Sequence, residues 1–244
     1  MPKILTVIPA RYDSTRFPGK PLVSIKGHPM VWQVYCRAVE SGLDHIVVAT
    51  DDDRILQAVT ERGGRAMLTS SEHQSGTDRC GEVLKKMMAE GEKFDFVINL
   101  QGDEPFIQPQ QLQTLTESLT KNTISTLVKK IEDKSQLDNP NIVKVVWSEQ
   151  NLNAIYFSRL PIPYLRDKTL DFTFYKHIGL YGFDTELLLK LTELQPSRLE
   201  KAESLEQLRW LENGFAIKVK ETTLETFGID TVEDLLKIEK DKND

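Results

Sequence analysis

Apolar and polar positions along the chain alternate in blocks of strand and helix length. The first block is an unbroken apolar run at residues 4–8, which predicts a buried strand. Residues 9–21 then carry Pro9, Pro18, Gly19 and Pro21, too many breakers for a strand or helix, and read as a loop. Pro29 opens a helix with Met30, Val34 and Ala38 on one face, ending near Gly42. Residues 45–50 form a second apolar run. The acidic run at 51–53 caps a helix whose inner face is Ile55, Ala58 and Val59, Gly63 and Gly64 stop it, and residues 65–68 form a third strand. Strand and helix alternating at this spacing predict right-handed crossovers and a parallel sheet, hence an α/β fold.

The pattern continues with a buried strand at 95–100, a helix at 109–119 and a strand at 124–128, and residues 134–141 form a polar linker. Strands at 143–147, 154–158 and 176–183 follow, then amphipathic helices at 184–194 and 203–209, the second burying Leu205, Leu208 and Leu211. A strand at 216–220 precedes a last helix with Val232, Leu235 and Leu236 inward. Thr231 and Asp234 there have the spacing of a capping box with Asp in place of Glu.

The candidate chemistry sits where the strands end. Arg11, Arg16 and Lys20 crowd the loop after the first strand, beside the hydroxyls of Ser14 and Thr15. A loop leaving the carboxyl end of a central parallel strand lies where open α/β sheets bind ligands. Guanidinium forks and a lysine ammonium suit phosphate oxygens, so the loop reads as a polyphosphate cradle. It has neither the Gly-x4-Gly-Lys-Ser/Thr spacing of a P-loop nor a Gly-x-Gly-x-x-Gly dinucleotide fingerprint. Asp103, in Gln101-Gly-Asp-Glu-Pro105, is the first carboxylate beyond a buried strand and so falls on the same rim. From the residues alone it is either a turn aspartate or an oxygen ligand for a hard cation. The polar stretch at 70–79 offers the hydroxyls of Ser75 and Thr77 and the amides around Gly76 to a base edge, while Arg79 faces a phosphate or braces the loop. Arg159, at a strand end before Pro161 and Pro163, suits either a carboxylate or a surface ion pair. His177 and Tyr181 share one strand face, and Glu206 and Gln207 leave the apolar stripe of their helix, so they are either solvated or ligand-facing.

Composition narrows the partners. In 244 residues, 37 acidic side chains outnumber 31 basic ones for a formal charge of −6, which argues against a nucleic-acid polymer or an anionic membrane and makes the basic loop a local exception. The two cysteines, Cys36 and Cys80, lack metal-ligand spacing and read as reduced structural thiols, a disulfide between them staying open. With neither a signal peptide nor an apolar run near ~18 residues, the expectation is a cytoplasmic protein that does not enter a membrane.

Arg-Tyr-x-Ser-Thr-Arg-Phe-Pro-Gly-Lys-Pro at 11–21, His-Gln-Ser-Gly-Thr-Asp-Arg at 73–79, Gln-Gly-Asp-Glu-Pro at 101–105, Tyr-Phe-Ser-Arg at 156–159, His-x-Gly-x-Tyr at 177–181 and Leu-Glu-Gln-Leu-Arg at 205–209 together resemble the 3-deoxy-manno-octulosonate (Kdo) cytidylyltransferases. The resemblance covers nearly the whole chain. It implies a Rossmann-like three-layer nucleotidyltransferase fold with a mostly parallel mixed sheet. One intertwined globular unit is expected, with a nucleotide-binding portion at 1–130 and a sugar-binding, dimerising and sheet-completing portion at 131–244. It also implies transfer of CMP from CTP to Kdo with release of pyrophosphate, in a homodimer. Arg11, Ser14, Arg16 and Lys20 would hold the phosphates, and Ser75, Gly76, Thr77, Arg79 and Gln101 the nucleoside. Asp103 and Asp230 would bind Mg2+. Arg159 would take the sugar carboxylate, and His177, Tyr181, Glu206 and Gln207 its hydroxyls. No residue presents itself as a general base. Competing expectations are a cytidylyltransferase for a related acid sugar, either 8-amino-Kdo or a nonulosonate, and a non-catalytic nucleotide-sensing module.

Overall fold

The structure is a computed structural model, and it describes residues 2–13, 17–229, 231 and 234–235. The chain forms two compact units, one of Met1–Leu112 with Glu225–Asp244 and one of Gln113–Leu224. The expected division at 130/131 misses two things: the chain leaves the first unit within a helix, and its C-terminal segment returns to that unit.

The first unit is built on β1 (Ile4–Ala10), a two-residue hairpin β2 (Ser24–Ile25) and β3 (His28–Pro29), α1 (Met30–Glu40), β4 (His45–Thr50), α2 (Asp53–Thr60), β5 (Ala66–Leu68), α3 (Gly76–Ala89) and β6 (Phe96–Leu100). Its main sheet runs β6-β1-β4-β5, every pair parallel, with Val7 opposite both Val47 and Asn99. Leu5, Val7, Ile8, Val47, Val48, Val97 and Ile98 are fully buried. Parallel strands covered on both faces are expected to be apolar throughout, which is why these segments read as runs rather than alternations. Parallel direction brings the carboxyl ends of β1, β4 and β6 to one rim. β1 reaches two residues further than the apolar run, through Pro9 to Ala10, past the end of the β6 ladder at Val7. The following loop closes in a 3-10 turn at Lys20–Leu22. Asp52 is the cap of α2, its side chain accepting from the Arg54 amide. Asp51 instead pairs with Arg79 on α3.

The chain changes units within α4 (Pro109–Ser118). The second unit contains β7 (Ile124–Lys130), β8 (Lys144–Trp147), β9 (Ala154–Ser158), β10 (Tyr175–Asp184), α5 (Thr185–Leu191), α6 (Arg198–Glu203), α7 (Gln207–Glu212) and β11 (Ile217–Glu221). Its sheet is mixed: β11 runs parallel to β7, while β10 is antiparallel to β7 and β8, and β8 to β9. The helix expected at 203–209 is two helices. Ser204 adopts a left-handed conformation, and Glu203 is drawn away to accept from Ser158 Oγ at 2.7 Å and the Arg159 amide at 2.9 Å. The restart shifts the buried face, so Trp210 is 1% exposed and Leu211 lies half-buried. The helix expected at 184–194 stops at Leu191, leaving Leu194 outside it.

Candidate active site

A cleft of about 180 Å³ opens at the rim of the first unit, where β1 and β6 end and α3 begins. Among the residues lining it are Arg11, Lys20, His73, Ser75, Gly76, Arg79, Gln101 and Asp103. Lys20 is presented by the 3-10 turn, which depends on Gly19 at φ 72° donating its amide to Tyr12 O at 3.0 Å. Only glycine enters that left-handed region without strain. Lys20 Nζ lies 2.6 Å from Asp103 Oδ2. Asp103 stands on the turn after β6, and a Cβ at Gly102 would come within 2.6 Å of Pro9 O. Glycine at 102 therefore lets the two strand ends close together, which brings lysine and aspartate into contact.

The C-terminal segment fixes the same turn. The Ile229 amide donates to Asp103 O at 2.9 Å, and Thr226 Oγ1 donates to Glu104 Oε2 at 2.9 Å, so Glu104 shapes the turn. The expected capping box is formed. Asp234 Oδ2 accepts from the Thr231 amide, and Thr231 Oγ1 from the Asp234 amide. Ser14 and Arg16 of the loop, Asp230, and the core positions Val232 and Leu236 lie outside the described residues.

Ser75 caps α3, accepting from the Asp78 amide at 3.1 Å. Gly76 is pressed against Pro9 and Asn99, and Thr77 is buried in the first turn. Arg79 is 3% exposed; its Nη1 donates to Thr69 Oγ1 and Ser70 O, and its Nη2 to Asp51 Oδ2 at 2.5 Å. Of its two sequence readings, bracing the loop is the one these contacts realise. Gln101 Nε2 donates to Asn99 Oδ1 at 3.3 Å.

The second unit gathers another polar group. His177 and Tyr181 would stand about 13 Å apart on a regular strand. A bulge in β10 between Ile178 and Tyr181 brings their ring centroids to 5.2 Å while keeping them on one face. Thr126 Oγ1 lies 2.9 Å from His177 Nε2, and Phe157 packs edge-on against the imidazole. Although the residue keeps some exposed surface, the ring is enclosed, and burial pushes its pKa down from 6.5 to about 3. Burial, and then Glu206, hold the Tyr181 phenol well above its usual range. Its buried Oη has no hydrogen-bond partner among the described residues. Gln207 is 5% exposed, so of its two readings off the apolar stripe, solvated or ligand-facing, the solvated one does not hold. The Arg159 guanidinium donates to Glu203 O, Pro140 O and Ser204 O. A guanidinium has five N–H donors, which leaves capacity beyond these carbonyls.

The low His177 pKa carries a pH prediction. The native state favours the neutral ring. Its contribution to stability is therefore complete above the unfolded value of 6.5 and is lost as pH falls toward about 3. Between pH 6.5 and 4.5, wild type should lose about 2 kcal/mol more than His177→Gln in urea unfolding. Parallel losses would show that the ring protonates freely in the native state.

Comparison with known proteins places this geometry. The family described as Cytidylyltransferase matches residues 5–227. A 3-deoxy-manno-octulosonate cytidylyltransferase of Cytophaga hutchinsonii is 52% identical, over 96% of each chain. The enzyme of that name from Parabacteroides distasonis is 52% identical over 97% of each. The chain belongs to the 3-deoxy-manno-octulosonate cytidylyltransferase family. A solved structure described as CMP:2-keto-3-deoxy-manno-octonic acid synthetase complexed with CTP superposes with a TM-score of 0.89, at 41% identity, over 99% of this chain and 98% of that one.

Of the positions the family motifs pick out, the cleft brings together Arg11, Lys20, Ser75, Gly76, Arg79, Gln101 and Asp103, while Thr77 is buried in the first turn of α3. The second unit collects His177, Tyr181 and Glu206, with Gln207 buried on α7 and Arg159 against Ser204. Sequence reasoning passes over His73 and Glu82, paired at the cleft, and Trp210, whose indole meets Tyr181 edge-on at 4.9 Å. His73 stands inside the motif at 73–79, which is the available signal. Glu82 and Trp210 carry none.

Proposed function

We propose that this chain transfers CMP from CTP to the anomeric hydroxyl of 3-deoxy-D-manno-octulosonate, giving CMP-Kdo and pyrophosphate. The observation that carries the reading is the Lys20–Asp103 pair, set at the rim of a parallel sheet in the cleft shared with Arg11 and the start of α3. In-line displacement at phosphorus asks the protein mainly for positioning and for neutralisation of spreading charge. Arg11 and Lys20, with Ser14 and Arg16, hold the β- and γ-phosphates and stabilise the departing pyrophosphate. Ser75, Gly76, Thr77 and Gln101 seat the nucleoside, and Arg79 steadies their turn.

A divalent ion fits this donor set. Among the described residues no group of three or more His, Cys, Asp or Glu side chains forms a cage. Mg2+ is commonly held by one or two carboxylates plus substrate phosphates, so few protein ligands are needed. Asp103 and Asp230 are the carboxylates that would hold it. Support for the second is that Ile229, its neighbour in sequence, donates its amide to Asp103 O. Bound there, the ion supplies charge neutralisation at the phosphates.

Kdo is read by the second unit. Arg159 takes the carboxylate, and Tyr181, Glu206, Gln207 and His177 take the hydroxyls, the buried Tyr181 Oη being ready for a ligand partner. The chain works as a homodimer. Support comes from the strongly exposed apolar side chains Ile155 (63%), Leu160 (71%) and Tyr164 (80%). Its place is the cytoplasm, in keeping with the unbridged thiols of Cys36 and Cys80.

The test is a panel of four nucleoside triphosphates against Kdo, 8-amino-Kdo and a nonulosonate, following pyrophosphate. CTP with Kdo should give the highest kcat/KM. A higher value with another acid sugar would reassign the acceptor, and no pyrophosphate with any pair would contradict catalysis.

A further inference from the structure

Lys144, on β8, is fully buried although it carries a charge. Its Nζ donates to three main-chain carbonyls: Asn139 O at 2.9 Å, Ile142 O at 2.6 Å and Arg159 O at 2.5 Å. A lysine ammonium has three N–H donors, so these contacts use all of them. The β8–β9 register explains the reach, because Lys144 stands opposite Ser158 and the next residue is Arg159. Burial lowers the Lys144 pKa and Arg159 adds to this, while Asp138 and Glu203 oppose it. A desolvated cation is a costly way to fill a core position that an apolar chain would fill as well. What only the ammonium can do is draw three carbonyls to one point.

Two of those carbonyls bracket a turn that touches the Arg159 side chain, and the third is Arg159's own. The Arg159 main chain is gripped on both sides, its amide by Glu203 Oε2 at 2.9 Å and its carbonyl by Lys144. Its Nη1 donates at 2.9 Å to Pro140 O, inside the turn at 139–142 that Lys144 ties down at either end. Its Nε donates to Glu203 O at 2.6 Å and its Nη2 to Ser204 O at 3.2 Å. One N–H is thus used on each of the three nitrogens. That leaves one on Nη1 and one on Nη2, the two atoms an end-on carboxylate engages together. We propose that Lys144 is a positioning residue for acid-sugar recognition: through Arg159 O and the turn at Pro140 it fixes the guanidinium with these two N–H groups kept for the substrate carboxylate. This inference rests on the reading of Arg159 as the carboxylate ligand.

The experiment measures kcat/KM for Kdo and direct binding of CTP in wild type, Lys144→Met, Arg159→Met and the double variant. Arg159→Met should lower kcat/KM for Kdo by about a hundredfold, the scale of losing a charge-assisted pair of hydrogen bonds. Lys144→Met should lower it about tenfold, because the guanidinium stays but is misplaced. Neither change should move the Kd for CTP by more than about twofold. The two residues should be coupled: the double variant should fall no more than about twofold below Arg159→Met, since the group being positioned is already gone. A merely structural lysine would instead give losses that multiply. Should Lys144→Met not fold, Lys144→Gln replaces it; its amide keeps two of the three donors and should give a smaller loss with the same coupling. Multiplying losses, or an unchanged kcat/KM for Kdo in the Lys144 variant, would overturn the proposal. Arg159→Met alone separates the two failures. If it lowers kcat/KM for Kdo by less than about threefold, Arg159 is not the carboxylate ligand, and the inference falls with that reading. If its loss is large while the Lys144 variant matches wild type, only the inference falls.

Discussion

Asp103→Asn is expected to reduce turnover by about three orders of magnitude, the scale of losing a central electrostatic group at a phosphoryl centre. The fold and metal-free CTP affinity should persist. The turn is held by backbone contacts that the side chain does not make: Gly102 against Pro9 O, and Ile229 donating to Asp103 O at 2.9 Å. Asparagine is isosteric, so the change removes a charge without opening a void. It also leaves Lys20 without the carboxylate 2.6 Å away, which should strengthen metal-free attraction of the triphosphate rather than weaken it. Pyrophosphate release, circular dichroism and CTP titration in chelator check the three parts. Turnover within tenfold of wild type would remove Asp103 from the mechanism.

Arg79→Met should produce the largest loss of stability. The guanidinium is almost entirely enclosed, with 4% of its side chain exposed, against 17% for Asp51. Removing one partner of a buried pair leaves the other charge desolvated and uncompensated, at about 3 kcal/mol or more. Thr69 Oγ1 and Ser70 O lose their donor at the same time, so the turn carrying His73 and Ser75 loosens. For a chain of this length, that loss lowers Tm by about 6–12 °C. Arg79→Lys should fall between, because one ammonium cannot reproduce a planar fork across these acceptors. Urea unfolding checks the order, and a loss below about 1 kcal/mol for the Met variant would mean that water already reaches the pair.

The first unit is the more legible half of the sequence, for a physical reason. Buried parallel strands are apolar throughout and must be joined by helices, so their runs and breakers mark both element and direction. That pattern alone puts Lys20 and Asp103 on one rim. Other features depend on contacts distant in sequence. Ser204 breaks the helical stretch although nothing local calls for a stop, since Glu203 is held by Ser158 and Arg159. The bulge that brings His177 to Tyr181 leaves no mark in a strand pattern. Polarity off an apolar stripe leaves Gln207 either solvated or ligand-facing in the sequence, and the pattern gives no sign that it is buried. Arg79 shows the limit most plainly, because phosphate ligand and loop brace are the same residue in sequence and differ only by the presence of Asp51.

The central claim is that Asp103 and Asp230 share one divalent ion facing the cationic loop. Calorimetric titration of CTP with and without Mg2+, in wild type, Asp103→Asn, Asp230→Asn and the double variant, tests it most directly. Two ligands of one ion are coupled. Each single change should therefore abolish most of the Mg2+-dependent gain in affinity, and the double change should remove little more. An Asp230→Asn protein that keeps the full gain, or losses that simply add, would contradict the claim.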